Sequence, residues 1–376
     1  MNQPILLSPP DMSGLEMDYI KEAFRDNWIA PVGPHVDAFE HEMKQYVGAR
    51  HAVAVSSGTA GLHLALIVAG VEAGDTVFCQ SFTFAASVNP ILYQKATPVL
   101  IDSEEETWNM SADTLEEAFR KEKKAPKAVI VTHIYGQVAD MKRIQKLCDK
   151  NGTILIEDAC ESLGSKYHDE QSGVIGDIGV YSFNGNKIIT TSGGGMVVTN
   201  REEFANKIKY LSTQAKSEAT CYLHEEIGYN YRLSNVLAGI GRGQLQTLDE
   251  KVGKRRAIFN RYSDAFCNTE IDMMPGDMYG VHSNRWLSVI LCINPEELMD
   301  RLETMRIESR RVWNPMHRQP YLEGTRFYQT NEVAISDRLF ERGLCLPSGS
   351  QLTVEQQQYV IEQVKVASEE RKGVHV

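Results

Sequence analysis

Through the first half of the chain, short apolar runs alternate with amphipathic stretches. The runs Val53–Val55, Thr76–Phe78, Pro98–Ile101, Ala128–Val131, Thr153–Ile156, Gly179–Tyr181 and Met196–Val198 are apolar at consecutive rather than alternate positions. That pattern predicts strands buried on both faces. Between them the spacing predicts helices near 60–70, 84–95, 111–124, 139–150 and 201–213. The expected fold is α/β, a mostly parallel sheet covered on both sides, with ligands at the strand carboxyl ends. A proline-free pattern from Leu233 to Cys267 predicts one long helix, with Lys251, Lys254, Arg255 and Arg256 on a solvated face. The apolar run Trp286–Ile293, a helix near 295–307 and a last helix from about 353 predict a small C-terminal α+β domain. The division expected is a large domain at 1–250 and a small one at 251–376.

One lysine interrupts this pattern. Lys187 lies between the run ending at Tyr181 and the triplet Gly193-Gly194-Gly195, and no other charged residue occurs from Ile178 to Asn200. Such surroundings predict a partly desolvated pocket, where loss of water disfavours the ammonium and frees the amine as a nucleophile. The glycines allow positive φ and close backbone approach. The segment reads either as a loop folded around a ligand with a Schiff-base lysine, or as a glycine turn with a lysine on its rim.

Composition narrows the classes. With 376 residues, 42% of them hydrophobic, the chain can bury a large core. A net charge of −11 excludes a broadly basic surface for nucleic acid, so any phosphate must be held by a local site. Seven dispersed cysteines without a C-x-x-C pair suggest neither a disulfide framework nor a zinc site, which fits a reducing cytoplasm. No leader-like segment and no apolar run of membrane-spanning length appear, so neither export nor membrane insertion is expected.

Three further features stand at predicted strand ends. Ser56-Ser57-Gly58-Thr59-Ala60-Gly61 leads from a strand into a helix and is either a phosphate seat or a plain N-cap. In Ile154–Glu161 an apolar strand runs into Glu157 and Asp158; one side chain should face the crevice and the other point away, to hold a protonated ring nitrogen or to form a structural ion pair. No further ligands for a metal can be placed beside them. Ser81-Phe82-Thr83-Phe84 offers an aromatic face to a flat ligand, or simply core. A phosphate seat, a stacking ring, a ring-nitrogen carboxylate and a lysine together suit pyridoxal 5′-phosphate (PLP).

These residues, with Gly33-Pro34, Phe39-Glu40, His133–Gln137, Glu157-Asp158-Ala159, Tyr181-Ser182-Phe183, Gly228–Arg232 and Pro315-Met316-His317, span nearly the whole chain in one order. The sequence resembles the aspartate-aminotransferase-like fold of fold type I PLP enzymes, and more closely the sugar-nucleotide aminotransferases of the DegT/DnrJ/StrS family. The resemblance implies that Lys187 carries the cofactor covalently and that Asp158 pairs with its ring nitrogen. It implies that Thr59 and Ala60 offer backbone N–H groups and Ser182 its hydroxyl to the phosphate, and that Phe84 stacks on the ring. Asn230 would reach the phosphate of a neighbouring subunit, which implies a homodimer with shared active sites. Family members of the dehydratase type carry histidine in place of Lys187, and a non-catalytic regulator on the same fold is the other rival.

Glu161 departs from the glutamine common in the family at the position that touches the cofactor's phenolic oxygen. The segments Leu6–Met12, Asn27–Pro31, Asn184–Met196, Ser212–Lys216 and Ser283–Trp286 resemble the branch making UDP-N-acetylbacillosamine-type diamino sugars, where glutamate is common there. The implied reaction moves an amino group from L-glutamate to C4 of a UDP-linked 4-keto-6-deoxy-N-acetylhexosamine. A C3 or C4 aminotransferase of a dTDP- or GDP-linked keto sugar is the alternative. Trp28, Ile29, Tyr231, Trp313 and His317 are the expected sugar-nucleotide residues, with Asn284 and Arg285 available to amide or diphosphate oxygens. His317 is equally readable as a hydrogen-bonded structural histidine.

Overall fold

A computed structural model describes residues 3–217, 219 and 221–369, with the side chains of 368 and 369 left aside. Its main sheet has eight strands in the order His51–Val55, Gly195–Thr199, Ile178–Ser182, Ile154–Asp158, Ala128–Thr132, Thr76–Gln80, Thr97–Ile101 and Phe327–Tyr328. The first two pairings are antiparallel and the other five parallel. Adjacent residues of one strand enter different clusters: Val77, Cys79, Ala128 and Ile130 pack on one face, Phe78, Val129 and Val131 on the other. Covering both faces is what permits consecutive apolar residues, each buried side chain of Val or Phe size contributing about 1.5–3 kcal/mol.

A four-stranded antiparallel sheet follows later in the chain, ordered Asp272–Met273, Ser288–Leu291, Gly343–Leu346 and Arg310–Arg311. It packs with the helices Leu248–Phe266, Pro295–Thr304 and Val354–Glu369 around Ile258, Tyr262, Ile290 and Leu344. Among the described residues no helix is long and apolar enough to cross a membrane.

Three expectations change. The helix expected at 84–95 is a 3₁₀ turn at Ala85–Ser87 followed by a helix at Asn89–Tyr93. Pro90 explains the restart, since deep in a longer helix it would remove a backbone bond, whereas in the first turn it removes none. The long pattern after Leu233 is two helices, Asn235–Leu245 and Leu248–Phe266. At the break Thr247 turns its backbone N–H and its hydroxyl back onto the Gln244 carbonyl, at 3.2 Å each.

The basic cluster is not a solvated face. Lys251 is 3% exposed and Arg255 1%. Lys251 Nζ donates to the Asp11 carbonyl at 2.6 Å and to Gln244 Oε1 at 2.7 Å, and burial lowers its ammonium to about 8. Only Lys254 stays well exposed, paired with Glu250 at 2.7 Å. Acceptors supplied by remote segments are what allow these cations inside.

Candidate active site

The carboxyl ends of the parallel strands and the loop after Ser182 enclose a cavity of about 270 Å³ lined by Ser57, Gly58, Thr59, Thr83, Phe84, Asp158, Cys160, Glu161, Ser182, Lys187, Gly193, Gly194 and Trp313, among others. Such a position follows from the topology of a parallel sheet.

At one wall the helix Gly58–Val68 begins. Ser57 caps it, its hydroxyl accepting from Ala60 N–H at 3.0 Å, while Gly58 and Thr59 N–H meet no protein acceptor among the described residues. The turn is a serine cap, and it leaves two N–H groups available to an anion at the positive end of the helix. Ala60 is a departure, because its N–H is already spent on Ser57 and it does not line the cavity.

Asp158 ends its strand and faces the cavity, 4% exposed. Its Oδ2 accepts from Ser87 Oγ at 2.5 Å and its Oδ1 from Cys160 N–H at 3.2 Å. Behind Ser87 the hydroxyls of Thr83 and Thr132 complete a chain at 2.7 and 2.9 Å. Glu157, one residue earlier, points away and accepts from His133 Nε2 at 2.8 Å and from the N–H groups of Gly173, Ile175 and Gly176. The adjacent acids thus divide as strand geometry requires.

Lys187 Nζ lies 3.7 Å from Glu161 Oε1 and 3.9 Å from the centre of the Trp286 ring. Its surroundings are therefore not free of charge: Glu161 arrives from the turn after another strand. Glu161 is 5% exposed, and its other oxygen accepts from Tyr135 N–H at 2.7 Å while Oε1 accepts from Trp313 Nε1 at 3.2 Å. Burial raises its carboxyl above the ordinary carboxylate range, with Lys187 and Tyr135 N–H pulling the other way. Burial and Asp158 push the Cys160 thiol well up, which favours the protonated form.

The aromatic pair also divides. Phe82 is core, whereas Phe84 is 52% exposed and tilts against Trp313 at 5.0 Å between ring centres. The triplet glycines differ from expectation too, because none of Gly193, Gly194 and Gly195 has positive φ; the left-handed residue of that loop is Ser192, at φ 70°. Close approach is what selects glycine at 195, where a Cβ would fall 2.6 Å from Ser57 C.

The remaining expected residues stand outside the cavity. Trp28 and Ile29 are exposed. Tyr231 stacks on Tyr229 at 5.0 Å and approaches His63 Nδ1 through its hydroxyl at 3.3 Å. His317 lies flat on Phe327 at 3.9 Å, with Nδ1 at 2.8 Å from Ser81 Oγ and Nε2 at 3.1 Å from Asp337, so both ring nitrogens are engaged in the fold. Asn230 is exposed, its backbone bridged to Thr213. Asn284 is fully buried on the Glu161 and Leu163 carbonyls, and Arg285, 2% exposed, is held by Asp277 and the Pro275 carbonyl. Neither can meet a diphosphate. Sequence reasoning gave no role to Trp286, Ser87 or Thr132; the lone signal was Trp286 at the end of the Ser283–Trp286 motif.

The donor set fits PLP. A helix terminus with two free N–H groups and two nearby hydroxyls suits its phosphate, Asp158 suits a protonated ring nitrogen, and Lys187 is the amine within the same cavity. The sequence profile of the DegT/DnrJ/EryC1/StrS aminotransferase family matches residues 10–365. EpsN of Bacillus subtilis (strain 168), described by name as a pyridoxal phosphate-dependent aminotransferase, is 52% identical over 370 residues, 96% of this chain and 95% of that one. A GDP-perosamine synthase of Escherichia coli O157:H7 is 36% identical over 358 residues, 94% of this chain and 96% of that one. Among solved structures, the PLP form of Spr1654 from Streptococcus pneumoniae, described as a sugar aminotransferase, has a TM-score of 0.89 at 25% identity and covers 98% of this chain and 99% of that one.

Proposed function

This chain belongs to the DegT/DnrJ/EryC1/StrS aminotransferase family and is a PLP-dependent sugar aminotransferase, and we propose that it carries the amino group of L-glutamate to C4 of a UDP-linked 4-keto-6-deoxy-N-acetylhexosamine. When bound, the cofactor supplies an aldehyde carbon that takes and returns the amino group and a ring that draws electron density from the reacting carbon.

The protein supplies the rest. Gly58 and Thr59 N–H, with the Ser57 and Ser182 hydroxyls, hold the phosphate at the helix terminus. Asp158, its geometry set by Ser87 and Cys160 N–H, keeps the ring nitrogen protonated. Phe84 covers the ring face. Lys187 Nζ removes the proton from the α-carbon of glutamate and later delivers one to C4 of the sugar. Glu161 stands next to that amine, its carboxylate facing the ammonium.

The cavity suits one small ring and its phosphate, so the sugar nucleotide extends beyond it, and Trp28, Ile29 and Tyr231, which stand outside the cavity, are its proposed contacts. The cofactor seat belongs to a large domain at 1–250, and Trp313 enters from a small domain at 251–376, a stretch that also returns Phe327–Tyr328 to the large sheet as its edge strand. Two copies act as a cytoplasmic homodimer, Asn230 of each reaching the other's phosphate.

The observation that carries the aminotransferase reading is the meeting in one cavity of Lys187, Asp158 and a helix N-terminus whose Gly58 and Thr59 N–H groups have no acceptor among the described residues. Support for UDP and an acetamido group comes from the motifs at Asn27–Pro31, Ser212–Lys216 and Ser283–Trp286. The similarity to GDP-perosamine synthases favours a second reading, a GDP-linked 4-keto-6-deoxyhexose. Turnover with glutamate and a panel of keto sugar nucleotides separates them, the diphosphate being common to all. We expect the highest kcat/KM with the UDP-acetamido sugar. A preference for the GDP or dTDP sugar, or amination at C3 in the product's NMR spectrum, refutes the substrate while leaving the aminotransferase intact.

A further inference from the structure

The peptide bearing Lys187 is held from two places remote in sequence, both backed by a third. Residues between the strands Ile178–Ser182 and Gly195–Thr199 leave the sheet as a loop, so no ladder sets its direction. The carbonyl of Asn186, immediately before the lysine, accepts two hydrogen bonds, from Ser8 Oγ at 2.8 Å and from Trp286 Nε1 at 2.8 Å. Arg255 backs both donors: it donates to Ser8 Oγ at 3.0 Å and to the Trp286 carbonyl.

Burying that guanidinium is costly. Among the described residues its Nε–H meets no partner, and its two hydrogen bonds both go to the residues that grip Asn186. Trp286 itself is 1% exposed and lies parallel to Tyr135, ring centres 6.3 Å apart, with Tyr135 parallel in turn to Trp313 at 6.4 Å. The indole that bonds residue 186 through its edge also presents its face to Lys187 Nζ at 3.9 Å.

We infer that Trp286, with Ser8 and Arg255 behind it, is a positioning residue for the reactive amine. Its N–H fixes the carbonyl of residue 186 and so the direction in which the Lys187 side chain leaves the backbone, and its face seats the ammonium beside Glu161. A misdirected amine loses rate in condensation, the step in which Nζ bonds to the aldehyde carbon of PLP and one water leaves. The inference rests on Lys187 being the residue that carries the cofactor.

The test uses apoprotein and two cofactor forms. PLP needs the lysine for covalent attachment, whereas pyridoxamine phosphate, lacking the aldehyde, reports only the noncovalent seat. Variants Trp286→Phe, which keeps a ring face but loses the N–H, and Ser8→Ala, which loses the other donor, are compared with wild type. The rate at which borohydride-fixable label accumulates on the Lys187 peptide should fall about fivefold for each lost hydrogen bond. The pyridoxamine phosphate affinity should stay within about twofold. Unchanged labelling rates in both variants overturn the inference. So does a loss of pyridoxamine phosphate affinity equal to the loss of rate, since that marks general damage to the site. Should Trp286→Phe fail to fold by circular dichroism, Ser8→Ala decides alone. Label fixed on a different lysine in the wild type overturns the assignment of Lys187 itself, a result distinct from the others.

Discussion

Replacing Gly195 by alanine tests whether the strand Gly195–Thr199 must lie against the start of the helix Gly58–Val68. A methyl group there falls 2.6 Å from Ser57 C, 2.7 Å from Ser57 O and 2.8 Å from Gly58 N, where ordinary contact begins at 3.4 Å. The backbones must therefore part by about 0.8 Å. Every contacted atom is main chain, so no rotamer change relieves the clash. Gly195 is also registered against Val55 on one side and Ser182 on the other, which resists a shift of the strand. The helix start must give instead, and it carries the free N–H groups of Gly58 and Thr59. Overpacking of this kind costs about 1–3 kcal/mol of stability. Loss of one charge-assisted bond to the phosphate weakens binding on the order of 10- to 100-fold. Calorimetric titration of the apoprotein with pyridoxamine phosphate, beside urea unfolding, measures both. Gly253→Ala is the control: it lies inside the helix Leu248–Phe266 with nothing within 4 Å of its Cβ, so up to about 1 kcal/mol should be gained with affinity unchanged. If Gly195→Ala binds within twofold of wild type and its unfolding midpoint does not move, the close approach does not shape the phosphate seat.

Asp158→Asn should fold normally, keeping a partner for Ser87, yet lose at least about 10²-fold in kcat because an amide cannot stabilise a positive ring nitrogen; near-normal turnover refutes that role. Glu161→Gln has a pH signature: burial raises the folded carboxyl above its ordinary value of 4.5, so its stabilising contribution is present below that value and lost as pH rises through the folded one. The stability of the Gln variant relative to wild type should accordingly be greater at neutral pH than at pH 4.5, and an equal difference at the two pH values contradicts the assigned burial. Mixing inactive Lys187→Ala protein with a strongly impaired Asn230→Ala protein should restore activity on subunit exchange, because one site of each hybrid is intact; exchange without recovery shows that Asn230 serves its own subunit.

Much of the frame was legible along the chain because its cause is local. Consecutive apolar residues such as Ala128–Val131 report burial on both faces wherever they sit, and a carboxylate closing such a run, as Asp158 does, must emerge at the strand's carboxyl end; Lys187 reaches the same end from the loop after Ser182. Alternation of side chains along a strand also divided Glu157 from Asp158 before any contact was known. What depends on residues remote in sequence was not legible. The uncharged neighbours of Lys187 concealed Glu161, brought to 3.7 Å by a turn after a different strand. Lys251 and Arg255 looked solvated because their acceptors come from Ser8, Asp11, Gln244 and the carbonyl of Trp286. His317 looked available until Ser81 and Asp337 claimed both its nitrogens. The glycines at 193–195 permit either positive φ or close backbone approach, and only the packed structure shows that at 195 it is close approach, to Ser57. Periodicity and strand-end chemistry are properties of a short stretch of chain and can be read from it; solvation, charge pairing and steric room belong to whichever segments folding brings together, and tertiary structure alone decides them.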